Sequence, residues 1–113
     1  MSTVNESKSK ENGEPSGMEK KAIELLGDTY SCDILKETSK RPLPIKEISE
    51  EAGVPLTTTY RRVEDLVDAG LLRRKTDFSE GGKHRDVYTT DLRAVEVKFD
   101  EGEIEIDCRY GDR

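Results

Sequence analysis

The spacing of apolar residues in this chain changes at Gly70. Before it, aliphatic side chains recur at intervals of three and four, which lays them along one side of an α-helix; beyond it they recur at every second residue, which lays them on one face of a β-strand. Helices first and hairpins afterwards predict an α+β fold. Four short helices are expected. Ala22, Ile23, Leu25 and Leu26 form the first apolar face, which stops at Gly27. Asp28 then reads as an N-cap, with Ser31, Ile34, Leu35 and Thr38 as the stripe of a second helix that ends at Lys40-Arg41-Pro42. Ile45, Ile48 and Ala52 mark a third helix closing at Gly53, and Thr59, Val63 and Leu66 mark a fourth that ends near Gly70. The third and fourth, joined by a tight Ala52-Gly53-Val54 turn, make a helix-turn-helix unit.

Two hairpins are expected after Gly70. The first runs out along Leu71 to Phe78, turns at Ser79-Glu80-Gly81-Gly82, and returns through Val87-Tyr88-Thr89-Thr90. The second alternates through Val95, Val97 and Phe99, turns at Asp100-Glu101-Gly102, and alternates back through Ile104, Ile106, Cys108 and Tyr110. A helix-turn-helix followed directly by a hairpin is the layout of a winged helix-turn-helix, here with a further C-terminal β-hairpin. Residues 1–17 contain few aliphatic side chains and are expected to be a disordered tail. Residues 18–90 would then be the winged helix-turn-helix domain, and residues 91–110 a hairpin available for dimerisation.

Composition narrows the function. At 113 residues, with 32% hydrophobic and 39% charged, the chain has room for one small core and no separate catalytic domain. One histidine, no glycine-rich phosphate loop and no nucleophile beside a base argue against an enzyme. Two cysteines without CxxC spacing argue against a closed zinc site, and no cofactor or metal is expected. No apolar run approaches the ~20 residues needed to cross a bilayer, and the polar start is unlike a secretory leader. A cytoplasmic location follows as an expectation. The net charge of −6 opposes nucleic acid as a partner when taken whole, but it is unevenly spread: residues 61–85 carry +2 and residues 86–113 carry −5. The acidic load also suits a salt-rich cell interior, although ten lysines against nine arginines is not a lysine-poor pattern.

The fourth helix, at about residues 55–70, turns Thr57, Thr58, Tyr60, Arg61 and Arg62 away from its apolar stripe. A helix in the major groove needs such a division, one face seated on the protein and hydrogen-bonding side chains toward base edges. Arg61 suits guanine O6 and N7, and Tyr60 suits the backbone or a base edge. The hairpin at 73–88 carries Arg73, Arg74 and Lys75 on its first strand and Lys83, His84 and Arg85 at its tip, cations suited to phosphates or the minor groove. The expected DNA-contacting set is Thr57, Thr58, Tyr60, Arg61, Arg62, Arg73, Lys83, His84 and Arg85.

The stretch LLGDTYSCDILKETSKRPLPIKEISEEAGVPLTTTYRRVEDLVDAGLL, with Leu-Gly-Asp before the second helix, Tyr60-Arg61-Arg62-Val63 within the fourth and Ala69-Gly70-Leu71 at its end, resembles the ArsR-like winged helix-turn-helix transcriptional regulators of archaea, particularly haloarchaeal members. TDFSEGGKHRDVYTT resembles their wing and RAVEVKFDEGEIEI the strand pair that closes such proteins. The resemblance implies a non-enzymatic, homodimeric regulator that binds double-stranded DNA at a palindromic operator, with an effector it does not name. Metal-sensing relatives carry a CxC pair or a His and carboxylate set on a final helix, and this chain has neither. Two other readings stand beside it: a winged-helix module that docks another protein of the transcription or chromosome machinery, and a redox sensor through Cys32 and Cys108. Both cysteines are expected to be buried small hydrophobes.

Overall fold

The computed structural model describes residues 16–78, 82 and 84–111. Helices α1 (Gly17–Leu26), α2 (Thr29–Lys40), α3 (Ile45–Ala52) and α4 (Leu56–Asp68) precede strands β1 (Leu72–Phe78), β2 (His84–Thr90), β3 (Leu92–Asp100) and β4 (Glu103–Tyr110). The architecture is the expected α+β winged helix-turn-helix, with two separate antiparallel hairpins, β1-β2 and β3-β4. No helix among the described residues is long and apolar enough to cross a membrane.

Local chemistry sets the helix ends. Ser16 and Glu19 form a capping box: Glu19 N–H donates to Ser16 Oγ at 3.1 Å, and Ser16 N–H donates to Glu19 Oε1 at 2.9 Å. Helix α1 therefore begins at Gly17, inside the stretch expected to be tail; residues 1–15 lie outside the described residues. Asp28 caps α2 as expected, accepting from the Ser31 N–H and hydroxyl, both at 2.9 Å. Helix α3 ends at Gly53, whose φ of 69° is a left-handed conformation that glycine adopts without a Cβ penalty. The turn into α4 is braced by hydroxyls. Ser49 Oγ donates to Val54 O at 2.6 Å, and Thr59 Oγ1 donates to Pro55 O at 3.0 Å.

The core lies where the helices meet the first hairpin. Ile34, Ile48, Leu66 and Leu71 are fully buried, and each aliphatic side chain of this kind contributes about 1.5–3 kcal/mol relative to exposure. Leu43 joins them and pairs with Tyr88 through two backbone hydrogen bonds of 3.0 and 2.9 Å, which anchors β2 to the body. Thr90 adds a second anchor, donating to Leu35 O at 2.7 Å and bonding Thr38 Oγ1 at 2.8 Å. The wing is thus held at its base by α2 and the α2–α3 link.

Two expectations about packing need correction. Ile23 lies on the outer side of α1, while Ala22 and Leu25 are buried and Leu26 is partly so. Cys32 is exposed, because the inward stripe of α2 runs through Ser31, Ile34, Leu35 and Thr38 and position 32 is one step, about 100°, off it. Its thiol donates to Leu26 O at 3.1 Å. Cys108 is buried as expected, and burial, the largest influence on it, pushes its thiol pKa up. Both cysteines are free thiols.

The second hairpin leaves the body at Asp91, whose N–H donates to Leu71 O at 2.9 Å. Its turn is Glu101-Gly102, both at positive φ, 53° and 82°, the combination that a tight two-residue hairpin requires. The half nearest the body is covered. Ile106 and Cys108 enter the core, and Val95 and Tyr110 pack against it, next to α1. The outer half is bare: Val97, Phe99 and Ile104 are exposed, Phe99 by 75%.

Candidate nucleic-acid interface

One face of α4 is committed to the protein. Thr59, Val63 and Leu66 are buried at i, i+4 and i+7. The helical repeat then turns Thr57, Tyr60, Arg61 and Glu64 outward on the opposite side. Thr57 and Arg61 are exposed, Thr58 is half-buried, and Tyr60 is 55% exposed. These residues line one wall of a groove whose other wall is the first hairpin, through Arg74 and Tyr88. Pro55 at the N-cap offers α4 no side-chain hydrogen bond, so its leading N–H groups are left without a side-chain cap. Cations, Arg61 and Arg62, occupy the N-terminal half of α4, and acids, Glu64, Asp65 and Asp68, the C-terminal half.

Strand alternation divides the cations of the wing. In the β1-β2 register Arg74 sits opposite Tyr88, and Arg73 opposite Thr89. Arg74 therefore points to the groove, its guanidinium 5.7 Å from the Tyr88 ring centroid and Nε 3.4 Å from the hydroxyl. The Tyr88 hydroxyl is the main influence raising the Arg74 pKa. Arg73 projects from the other face and pairs with Asp91 at 3.7 Å. It does not reach the groove. Lys75 shares that other face and, like Arg61, has no ion-pair partner among the described residues.

At the wing tip, His84 is exposed and stacks edge-on against Phe78, with ring centroids 4.4 Å apart. Arg85 is exposed and lies 3.9 Å from both Glu47 of α3 and Asp77 of β1. Lys83 lies outside the described residues. Among the described residues, no group of three or more His, Cys, Asp or Glu side chains is arranged to hold a metal ion.

Arg62 has a different partner. Its Nε donates to Asp28 Oδ2 at 2.8 Å and its Nη2 to Oδ1 at 3.3 Å, with the guanidinium 6.0 Å from the Tyr30 ring centroid. The hydrogen bond from Arg62, aided by those from Ser31, holds the Asp28 carboxyl at about 2, below the usual 3.8. The Arg62 pKa rises in return, chiefly through the Asp28 hydrogen bond. One step round the helix from Arg61, Arg62 fastens α4 to the N-cap of α2 and lies away from the groove.

The structure thus brings together Thr57, Thr58, Tyr60 and Arg61, sets His84 and Arg85 on the wing, and leaves Arg62 and Arg73 elsewhere. Arg74, Tyr88 and Glu64 belong to the groove but were absent from the expected set. The two-residue period of β1 was the signal for Arg74, since the inward Leu72 places residue 74 on the same face. Residues 26–75 match the model of a family described as a helix-turn-helix domain. No curated protein matches the chain.

Proposed function

We propose that this protein is a non-enzymatic, cytoplasmic transcriptional regulator that binds double-stranded DNA as a homodimer at a palindromic operator. The N-terminal half of α4 enters the major groove, Arg61 grips a guanine, and Thr57 and Tyr60 bond phosphates or base edges. The wing lies along the backbone, with Lys75, His84 and Arg85 toward phosphates and Arg74 on the face shared with α4. One observation carries this reading: Arg61 is exposed, has no acidic partner among the described residues, and opens onto a groove shared with Arg74. The match of residues 26–75 to a helix-turn-helix family supports it.

The bare outer half of the second hairpin supports the dimer. A lone two-stranded hairpin is marginal in water, and Val97, Phe99 and Ile104 are exposed, Phe99 most of all. Twofold stacking of two such hairpins would cover them and leave their acidic faces to solvent. In this assembly the recognition helices stand about 34 Å apart, one duplex turn.

Binding to duplex fragments across a series of salt concentrations tests the proposal. Arg61→Ala is expected to weaken the preferred site about 5- to 150-fold, the weight of about 1–3 kcal/mol for a good arginine–guanine pair, with its fold unchanged by circular dichroism. Lys75→Ala should lower the log–log salt slope by about 0.9, the loss of one phosphate contact. Equal binding by wild type and Arg61→Ala, or no binding at any salt by folded protein, would favour a protein-docking module instead.

A further inference from the structure

Glu64 is the anion in the groove between α4 and the wing; every other described lining side chain is cationic, hydroxyl-bearing or apolar. It is exposed, and its carboxylate has no hydrogen bond or ion pair among the described residues; only a longer-range attraction links it to Arg74. No short contact among the described residues therefore holds this carboxylate in place. Against DNA it cannot face a phosphate, since two anions repel at short range. The major groove offers a carboxylate two kinds of donor, the N4 amino group of cytosine and the N6 amino group of adenine. Adenine carries the N7 acceptor beside its amino group, which would oppose the second carboxylate oxygen. Cytosine has no acceptor on its major-groove edge.

We propose that Glu64 is a specificity-determining residue that accepts a hydrogen bond from the N4 amino group of a cytosine, one base pair along from the guanine gripped by Arg61. The inference rests on the reading of α4 as the DNA-contacting helix. Three residues of helix advance about 4.5 Å and one base pair about 3.4 Å, so Arg61 and Glu64 address neighbouring pairs when the helix follows the groove. Arginine at i and glutamate at i+3 on one exposed face then read two adjacent positions with opposite hydrogen-bond polarity.

Selection from a randomised duplex library, followed by sequencing, tests this with wild type, Glu64→Gln and Glu64→Ala. Glutamine both donates and accepts, which suits adenine N6 and N7. Glu64→Gln is therefore expected to shift the preferred base at one position from cytosine to adenine by about tenfold, equivalent to about 1.4 kcal/mol, while the neighbouring guanine is retained. Glu64→Ala should erase the preference at that position alone. Uniformly tighter binding to all sequences by Glu64→Ala, with an unchanged motif, would make Glu64 a mere electrostatic brake and overturn the inference. Loss of the guanine preference in Glu64→Ala would make it a positioning residue for Arg61, and would also overturn it. An unenriched library with wild type would remove the DNA-binding reading itself.

Discussion

Arg61 and Arg62 are adjacent, identical in chemistry, and different in role. Arg61 stands on the outer face of α4 with no ion-pair partner among the described residues, whereas Arg62 is held by Asp28 at 2.8 Å and is only partly exposed. The difference arises from about 100° of helix rotation, which turns one toward the groove and the other toward α2. Arg62→Ala is expected to cost about 1 kcal/mol, the upper range for a partly exposed, two-point ion pair, measured by urea unfolding at neutral pH, and to leave the salt slope of DNA binding unchanged. The pair also has a pH signature. Because the folded chain favours the Asp28 carboxylate, with its pKa at about 2, the contribution is complete above the unfolded value of 3.8 and is lost as pH falls through the folded value. Stability measured at descending pH should fall across that window in wild type, and less steeply in Arg62→Ala.

At the scale of elements, the turn between α3 and α4 sets the angle at which α4 leaves the body. Gly53 has φ of 69°, and a Cβ added there would meet nothing within 4 Å. Gly53→Ala therefore probes backbone conformation without a clash. It should destabilise the fold by about 1 kcal/mol, the cost of a left-handed alanine, and lower the midpoint of thermal unfolding by roughly 4–8 °C for a domain of this size. Helices and strands alike were legible in the sequence, since Asp28, Gly53 and the alternation through Phe99 and Ile104 act over a few residues. The capping box at Ser16 and Glu19 was equally local, and it moves the start of α1 into the stretch that composition assigns to a tail. The wing shows where local pattern is insufficient. Arg73, Arg74 and Lys75 are consecutive cations, and only the register with β2 and the packing of Leu72 place Arg74 on the face shared with α4.

Across the whole molecule, charge is arranged along α4. In the N-terminal half Arg61 faces the groove, while α1 packs at the C-terminal end, where Met18 Cε would lie 3.9 Å from a Cβ added at Gly70. The second hairpin is attached beyond α1 and carries much of the −5 of residues 86–113. On the proposed reading, this acidic hairpin would repel DNA and favour approach of the winged face. The apolar strip on that hairpin makes the assembly testable. Wild type is expected to sediment as a dimer at micromolar concentration, and Phe99→Asp as a monomer with unchanged circular dichroism, because the Phe99 side chain is three-quarters exposed within the chain. Such a monomer should retain the groove but bind a two-half-site operator far more weakly, because the two contacts are no longer linked.

The sequence alone determined the order and ends of the elements, the winged layout and the candidate status of α4, because periodicity, caps and turn residues act through neighbours in the chain. Tertiary structure decided which side chains are free to act. Arg62 and Arg73 are held by Asp28 and Asp91, Arg74 and Glu64 are turned into the groove, and Cys32 is left in solvent. Those outcomes depend on which residue, distant in sequence, packs against each face.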